Sequence, residues 1–477
     1  MVNVTPVKLG TNTRMSFGKI KEVMQMPNLI QIQKDSYQRF LDVGLKEVLR
    51  DVAEITDYAG NLVLTFVDYR MEDKPKYSVR ECKERDATYA APLRVTARLE
   101  NKETGEIKES EIYMGDFPLM TSSGTFIIHG AERVIVSQLH RSPGISTERQ
   151  LHNNGQHLLS VRIIPDRGNW IEIMFDTSDV MWCFMDQRKR RRKFYATTLL
   201  RAFGHGSDEK IMELFYTFKK LPTDEVYTDK DLRNLVMKND LVDTVNQTVV
   251  ARRFDQLTPS IVEQVAMLGI KSIEVVDVAV DSGTLIKTLR EDAKSGIRNE
   301  DDALKEIYKR MRPGDPPNVN NAKAMIHRMF FEQAHYDLGY VGRHKINKKL
   351  GLSKYIPENL RTLAEGGVDV IEAIRLLLKI HSGQETIDDI DHLGNRRIRT
   401  TGELLENQCR VGLARTERLI RERMTVHDAN QGVALTPSRL INSKTFSAVV
   451  SDFFARSQLS CARSSQIASS TESLLSK

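Results

Sequence analysis

The segment at residues 386–403, TIDDIDHLGNRRIRTTGE, holds the densest group of side chains that could do chemistry. Three aspartates precede three arginines there: Asp388, Asp389, Asp391, Arg396, Arg397 and Arg399. Aspartates are hard oxygen ligands for a divalent metal ion, although neighbouring arginines would compete by pairing with them. A second interpretation is a surface salt-bridge cluster, which contributes little stability. A third is nucleic-acid contact, in which a carboxylate accepts from guanine N1–H and N2–H₂ while arginines grip phosphates or stack on bases. The spacing alone leaves the second and third interpretations equally open.

A basic run follows a predicted strand and precedes a predicted helix, so it is expected to project from the fold. Its members are Arg188, Lys189, Arg190, Arg191, Arg192 and Lys193. Such a run is more often a solvated face than a site, but it also suits contact with phosphates.

Two further residues have both a structural and a functional interpretation. Trp170 follows the polar turn RIIPDRGN, and its local sequence favours a core position over an exposed stacking platform for a base. Arg141 lies at a predicted strand end before Ser142-Pro143-Gly144. It is either part of a polar turn or a side chain presented to a ligand from a sheet scaffold.

Composition and missing motifs exclude several classes of protein. The 477 residues are 40% hydrophobic and 28% charged, with a net charge of +6, which is typical of a soluble protein of two to four domains. The sequence contains no phosphate-binding GxxxxGK[ST], HExxH or GxSxG motif. No CxxC pair exists, so the four cysteines are expected to be free thiols. Without an apolar span or an apolar leader, we expect a cytoplasmic protein that binds no membrane.

Hydrophobic periodicity predicts strands first and helices later. Alternation at residues 60–145 predicts strands, with hairpin turns at Thr104-Gly105 and His129-Gly130. Further strands flank the turns at 165–168 and 176–177. Helical spacing from about Thr197 predicts helices at 208–220, 229–238, 286–312, 320–333, 358–381, 402–424 and 445–459. The serine-rich residues 461–477 are expected to be disordered.

Six blocks together resemble the β subunit of bacterial RNA polymerase. They are GDFPLMTSSGTFIIHGAERVIVSQLHRSPG (115–144), VRIIPDRGNW (161–170), MRPGDPP (311–317), YDLGYVGRHKINKKL (336–350), IDDIDHLGNRRIRTTGELLENQCRVGLARTERLIRERM (387–424) and FFARSQLS (453–460). The resemblance covers about residues 15–460 and ends where the family continues with a different sequence, which suggests a fragment. It implies an α+β (mixed α/β) fold with two domains. An antiparallel-sheet protrusion would comprise 1–134 and 401–460, with a largely helical lobe inserted at 135–400 and a divergent tail at 461–477.

The resemblance also implies roles for individual residues. A lobe pocket that captures an unpaired guanine of the non-template strand would comprise Arg141, Ile390, Asp391 and Arg396. Trp170 would stack on a neighbouring base, which reverses the core interpretation. The basic residues at 188–191 would contact nucleic acid. The rifamycin pocket would be present only at its edge, at Arg133, Val136, Ser457, Gln458 and Leu459, so no measurable rifamycin affinity is expected.

At the level of activity, the resemblance implies a DNA-directed RNA polymerase β subunit, hence a nucleotidyltransferase subunit in transcription. The chain would wall the cleft that holds downstream duplex, non-template strand and RNA–DNA hybrid, together with the β′, α, ω and sigma subunits. It would hold no cofactor or metal, since the catalytic Mg²⁺ is expected in β′, and it would have no catalytic residue and no activity alone. Alternatives are a stand-alone DNA-binding fragment without catalysis, an inert truncated product, or a metal-dependent enzyme built on Asp388, Asp389 and Asp391.

Overall fold

The chain forms two compact units, the first made of Met1–Gln138 and Ile398–Lys477 and the second of Leu139–Arg397. The computed structural model describes residues 4–10, 12–18, 27–52, 54–57, 60–72, 74–185, 192–225, 227–242, 249–281, 283–428 and 435–462. Helices and antiparallel sheets occur in both units, which confirms the predicted mixed α/β class. Among the described helices, none combines the length and the apolar character needed to cross a membrane.

The first segment of the first unit is mainly strands. Its elements are β1 (Thr5–Leu9), β2 (Asn12–Ser16), α1 (Gln31–Arg39), α2 (Leu45–Asp51), β3 (Glu54–Thr56), β4 (Leu62–Met71), α3 (Val79–Glu84), β5 (Ala90–Asn101), β6 (Glu106–Pro118), β7 (Phe126–Ile128) and β8 (Ala131–Ile135). A single π-helical turn at Phe40–Gly44 joins α1 to α2. Strand β9 (Gln138–Arg141) carries the chain into the second unit.

The hairpin of β5 and β6 arises from local sequence alone. Residues in β5 alternate between buried and partly exposed positions, as expected for a strand with one face on the core. Gly105 adopts a φ of +68°, which glycine tolerates without a steric penalty, and its N–H donates to the carbonyl of Asn101 at 2.8 Å. The predicted hairpins at Thr104-Gly105 and His129-Gly130 are both confirmed.

The second unit begins with a five-stranded antiparallel sheet in the order β10-β11-β12-β13-β14 and continues mainly with helices. Its elements are β10 (Gly144–Leu151), β11 (His157–Ile164), β12 (Ile171–Phe175), β13 (Met181–Phe184), β14 (Lys193–Tyr195), α4 (Ala196–Ala202), α5 (Asp208–Phe215), β15 (Thr217–Pro222), α6 (Asp229–Leu232), β16 (Leu235–Met237), β17 (Leu241–Val242), β18 (Val249–Ala251), α7 (Pro259–Met267), β19 (Ser272–Asp277), α8 (Thr284–Lys294), α9 (Glu300–Met311), α10 (Val319–Phe330), α11 (Gly339–Leu350), α12 (Val368–His381) and β20 (Arg396–Arg399).

One face of the five-stranded sheet is covered by helices and forms the main core of this unit. Val161, Ile163, Ile171, Ile173 and Cys183 point into it, together with apolar residues of α4, α8, α9, α10 and α12. The opposite face carries polar and aromatic side chains. A smaller sheet, ordered β15-β19-β16, packs with α7 around a separate apolar cluster.

The chain returns to the first unit along β20. It then forms α13 (Thr401–Asp428), α14 (Pro437–Leu440), α15 (Ser443–Arg456) and β21 (Ser460–Ala462). Leu405, Leu413, Phe446 and Phe454 from this segment share a core with residues of β4 to β8 and of α1 and α2. The core of the first unit is therefore completed by residues from both ends of the chain.

Several predicted helices were too long. The helix predicted at 208–220 ends at Phe215, because Tyr216 is extended and its buried hydroxyl donates to Asp281 at 2.6 Å. The helix predicted at 229–238 is only α6, followed by β16. Gly296, at a φ of +82°, separates α8 from α9 within the range predicted as one helix. Helix α12 begins at Val368 rather than near 358, after Gly366 and Gly367 at positive φ.

The expectation of disorder from residue 461 onwards was wrong for its first two residues. Cys461 and Ala462 belong to β21, which pairs with β8 in antiparallel register opposite Val134 and Arg133. Backbone hydrogen bonding to an existing strand determines this structure, and side-chain composition does not reveal it. Residues 463–477 lie outside the described part of the chain.

Candidate nucleic-acid interface

A small pocket opens in the second unit where the corner between β9 and β10 meets α11 and the loop that precedes β20. Its lining combines cationic, acidic and apolar side chains: Arg141, Ser142, Pro143, Ile145, Ser146, Ile164, Lys345, Asp388, Ile390 and Asn395. Two of the residues predicted for the pocket, Arg141 and Ile390, therefore lie on one surface. Asp391 and Arg396 directly follow the lining residues Ile390 and Asn395 in the same loop.

Close backbone packing holds the corner against α11. A Cβ on Gly342 would lie 2.9 Å from Cβ of Pro143, so only glycine permits this approach. The backbone N–H of Ser142 donates to the carbonyl of Asn395 at 3.0 Å, and Nζ of Lys345 donates to the carbonyl of Gly394 at 2.9 Å. Burial lowers the pKa of Lys345. The pocket wall is thus tied on both sides to the loop that carries Asp391.

Asp388 anchors this loop to the edge strand of the sheet. Its Oδ2 accepts hydrogen bonds from the N–H of Thr147 at 2.8 Å and from the hydroxyl of Thr147 at 3.0 Å, and it pairs with Lys349. Burial raises the pKa of Asp388, but the hydrogen bonds from Lys349 and Thr147 outweigh it and leave the pKa below its usual value.

Two of the three aspartates already have partners within the chain. Lys349 and Thr147 contact Oδ2 of Asp388, and Oδ1 of Asp389 accepts from the N–H of Asp391 at 2.9 Å. Nowhere in the described part of the chain do three His, Cys, Asp or Glu side chains form a group able to hold a metal ion.

The arginines that follow do not pair with these aspartates either. Arg397 pairs with Asp166 at 2.7 Å, and in the first unit Arg399 pairs with Glu403 at 3.3 Å. Asp388, Arg397 and Arg399 therefore do form ion pairs, but with Lys349, Asp166 and Glu403 rather than with one another. Within the described residues, the carboxylate of Asp391 and the guanidinium of Arg396 form neither a hydrogen bond nor an ion pair. Asp391 is exposed and Arg396 half-buried, so both charged groups are available to a ligand.

Trp170 follows a turn whose backbone is fixed by contacts with Tyr336 and Asp337. Arg167 and Asp337 exchange two backbone hydrogen bonds, at 2.9 and 2.7 Å. Gly168 adopts a φ of +124°, and a Cβ there would lie 2.8 Å from Cδ2 of Tyr336. The Trp170 ring is partly exposed, and the apolar cluster beneath the sheet does not include it. This surrounding does not support the core interpretation drawn from its local sequence.

The basic run falls mostly outside the described residues, and Arg188, Lys189, Arg190 and Arg191 all lie there. Of its last two members, Arg192 donates from Nη1 to the carbonyl of Met311 at 2.8 Å. Nζ of Lys193 lies 4.0 Å from the centre of the Trp182 ring. The side chains of Arg192 and Lys193 thus contact other residues of the second unit.

In the first unit, the positions predicted for the rifamycin edge lie together around β8 and the end of α15. Nη1 of Arg133 donates to the carbonyl of Phe454 at 3.0 Å, and the N–H of Val136 donates to the carbonyl of Leu459 at 2.9 Å. The hydroxyl of Ser457 accepts from the N–H of Leu459, and the carbonyl of Gln458 accepts from Sγ of Cys461. Whether they contact an antibiotic stays a prediction.

Comparison with known proteins decides the family. A family model described as RNA polymerase beta subunit matches residues 28–448. The chain belongs to the RNA polymerase β subunit family. It is 47% identical over 469 residues to the DNA-directed RNA polymerase subunit beta of Methylacidiphilum infernorum, which covers 94% of this chain. It is 43% identical over 462 residues to that of Protochlamydia amoebophila and 42% identical to that of Chlamydia pneumoniae. The chain spans 36% of the length of each of these relatives.

As a member of the RNA polymerase β family, the chain also carries residues at this pocket that sequence reasoning missed. Thr147, Lys349 and Asp166 hold the loops in place. Glu148 and Arg162 lie behind Arg141 on the sheet. No local sequence signal could have identified Thr147, because Asp388 follows it by 241 positions and only the strand register brings the two together.

Proposed function

We propose that this chain acts in transcription as part of an RNA polymerase β subunit and that its second unit binds unwound non-template DNA. The pocket of Arg141, Ile390, Asp391 and Arg396 would take one unpaired guanine. Trp170 would stack on a neighbouring base. The observation that carries this proposal is the exposed carboxylate of Asp391, which has no partner among the described residues and lies on a loop fixed beside a pocket lined by Arg141.

The chemistry of guanine matches this arrangement. The N1–H and N2–H₂ groups of an unpaired guanine are adjacent donors, and a carboxylate such as that of Asp391 can accept from both. Its O6 and N7 are acceptors that suit the guanidinium of Arg141 or Arg396. Adenine carries a donor where guanine carries O6, so the same groups disfavour it. Ile390 supplies an apolar wall against the base plane.

Family membership supports the wider partners proposed for the chain. These are downstream duplex DNA and the RNA–DNA hybrid, with the β′, α, ω and sigma subunits of the assembled enzyme. We propose that nucleotide addition depends on Mg²⁺ held by β′, since phosphoryl transfer needs metal-bound carboxylates. On this proposal the chain contributes walls of the DNA cleft and no catalytic group.

The test is equilibrium binding of fluorescent single-stranded oligonucleotides to the full chain, measured by anisotropy at several salt concentrations. One probe contains a single guanine in a thymine background, and the other contains thymine only. We expect tighter binding of the guanine probe by about 1–3 kcal/mol, as for one well-matched base. Affinity for both probes should fall with salt, because phosphate contacts release counterions.

Asp391→Ala should remove the guanine preference and leave binding of the all-thymine probe unchanged. Glu385→Ala is the matched control, since Glu385 is an exposed carboxylate of the same connecting segment. A guanine preference that survives in Asp391→Ala, or is absent from the unsubstituted chain, would contradict the proposed pocket.

A further inference from the structure

Three alternating charges lie on the face of the five-stranded sheet that points away from the core, and a fourth lies beside them on β9. Arg162 of β11 lies opposite Glu172 of β12, and Glu148 of β10 lies opposite Ser160 of β11. Since alternate residues of a strand share a face, Glu172, Arg162 and Glu148 all project to the same side. The fourth charge is Arg141 of β9, which lines the pocket.

The contacts form a chain that ends at the pocket. Nε and Nη2 of Arg162 lie 2.8 and 2.7 Å from Oε1 of Glu172, and Nη1 of Arg162 pairs with Oε2 of Glu148. The same Oε2 of Glu148 lies 3.6 Å from Nη1 of Arg141. Glu148 therefore lies between the buried Arg162, which contacts two carboxylates, and the arginine of the pocket.

Burial decreases along this chain of charges. The exposed fraction of the side chain is 8% for Arg162, 18% for Glu148 and 29% for Arg141. Arg162 is nearly buried and contacts two carboxylates, so its ion pair with Glu148 restricts where that carboxylate can lie. Arg141 is more exposed, and the contact with Glu148 is the only polar contact of its guanidinium within the described residues. Most of its N–H donors thus remain available.

We propose that Glu148 is a positioning residue that directs the guanidinium of Arg141 into the pocket and thereby sets the preference for guanine. This inference rests on the proposed function of the pocket. The carboxylate lies 3.6 Å from Nη1 of Arg141, so it orients the guanidinium and leaves the other donors for a base edge. Its negative charge also partly offsets Arg141, which favours the acceptor edge of a base over a bare phosphate.

Removing the charge should separate base preference from general affinity. In Glu148→Gln, Arg141 loses its ion pair while the surface becomes more positive. We expect the ratio of affinities for the guanine and all-thymine probes to fall about three- to tenfold. Affinity for the all-thymine probe should be unchanged or higher, because the substitution removes one negative charge that repels the phosphates of the probe. A merely structural role would instead weaken both probes together.

Glu172→Gln is the matched control. It removes the same charge from the same face and from the same Arg162, but Glu172 has no contact with Arg141. The guanine preference should survive in this variant. An equal loss of preference in Glu172→Gln would overturn the proposal, because the effect would then reflect charge or packing around Arg162.

Glu148→Asp provides a second measurement should the amide variant fail to fold. It keeps the negative charge but withdraws the carboxylate by one methylene, so the preference should fall while affinity for the all-thymine probe stays constant. If Asp391→Ala abolishes the preference and both Glu148 variants retain it, the positioning role is wrong and the pocket stands. If the unsubstituted chain shows no preference, the pocket and the positioning role are both overturned.

Discussion

Asp166 and Arg397 join the turn that carries Trp170 to the start of β20, directly after the loop that carries Asp391, with Nη2 of Arg397 2.7 Å from Oδ1 of Asp166. The turn follows β11 and the loop precedes β20, so the two residues lie 231 positions apart. The pair is half-exposed and is expected to stabilise the fold only weakly. Its consequence is geometric, since it fixes the separation of a candidate stacking surface and a candidate guanine acceptor.

Asp166→Asn should therefore affect binding more than stability. We expect the free energy of unfolding to change by less than about 1 kcal/mol, as for an exposed ion pair. Affinity for the guanine probe should fall about two- to tenfold, because turn and loop can then move independently. Anisotropy titration measures the affinity. Glu274→Gln is the control, since it removes the surface pair with Lys238 at 3.1 Å on the smaller sheet. Equal losses in the two variants would argue against a linking role.

Gly168→Ala should distort the turn beneath Trp170. The φ of +124° is strained for any side chain, and the added Cβ would lie 2.8 Å from Cδ2 of Tyr336 and 3.0 Å from the carbonyl of His335. We expect a loss of about 1–3 kcal/mol in the free energy of unfolding. Denaturant unfolding followed by tryptophan fluorescence is the measurement. Both tryptophans, Trp170 and Trp182, lie in the second unit, so the signal reports that unit alone.

The control for this glycine is Gly105→Ala in the hairpin of β5 and β6. Its φ is +68°, and a Cβ there would meet nothing within 4 Å. Only the backbone cost of about 1–2 kcal/mol should appear, and it should appear in the first unit. If Gly168→Ala leaves the midpoint of unfolding followed by tryptophan fluorescence unchanged, the turn adapts to the added methyl group and the prediction is wrong.

Asp388 should make the stability of the second unit depend on pH in the acid range. Its pKa is lowered in the folded chain, so its contribution is fully present above the unfolded value of about 3.9. That contribution is lost as the pH falls through the lower, folded pKa. Asp388→Asn should be less stable than the parent chain at pH 6, and the difference should shrink towards pH 3. The tryptophan unfolding midpoint across this range is the measurement; a constant difference would mean that the carboxylate charge contributes nothing.

Breaking the buried pair of Arg343 and Asp369 should destabilise the second unit far more than breaking an exposed ion pair destabilises the chain. Both side chains are fully buried, with Nη1 2.7 Å from Oδ1, and Oδ2 also accepts from the N–H of Ala364 at 2.8 Å. Asp369→Asn leaves a buried guanidinium without its counter-charge, so we expect a loss of about 3–5 kcal/mol. Arg418→Ala, at an exposed pair with Glu422, should cost less than about 0.5 kcal/mol. Equal losses in the free energy of unfolding for Asp369→Asn and Arg418→Ala, measured by denaturant unfolding, would contradict the prediction.

Sequence patterns predicted the parts of the fold that depend on neighbouring residues. The hairpin at Gly105 was readable because alternation and a turn signal coincide within a few residues. The helix predicted through Tyr216 was wrong because its hydroxyl bonds to Asp281, 65 positions away, and local periodicity cannot report such a contact. At the candidate site, sequence resemblance named Arg141 and Ile390, which line one pocket. The residues that fix them, such as Thr147 and Glu148, follow only from strand register.

The shared core of the first unit has a consequence for synthesis on the ribosome. Residues of β4 to β8 cannot bury their apolar faces until α13 and α15 emerge, and the whole second unit is translated in between. At roughly 5–20 residues per second, those roughly 260 residues take on the order of 13–50 s. Through that interval the nascent first segment exposes apolar strands, while the second unit can already fold. The early strands are therefore the part of the nascent chain with the greatest need of chaperone protection.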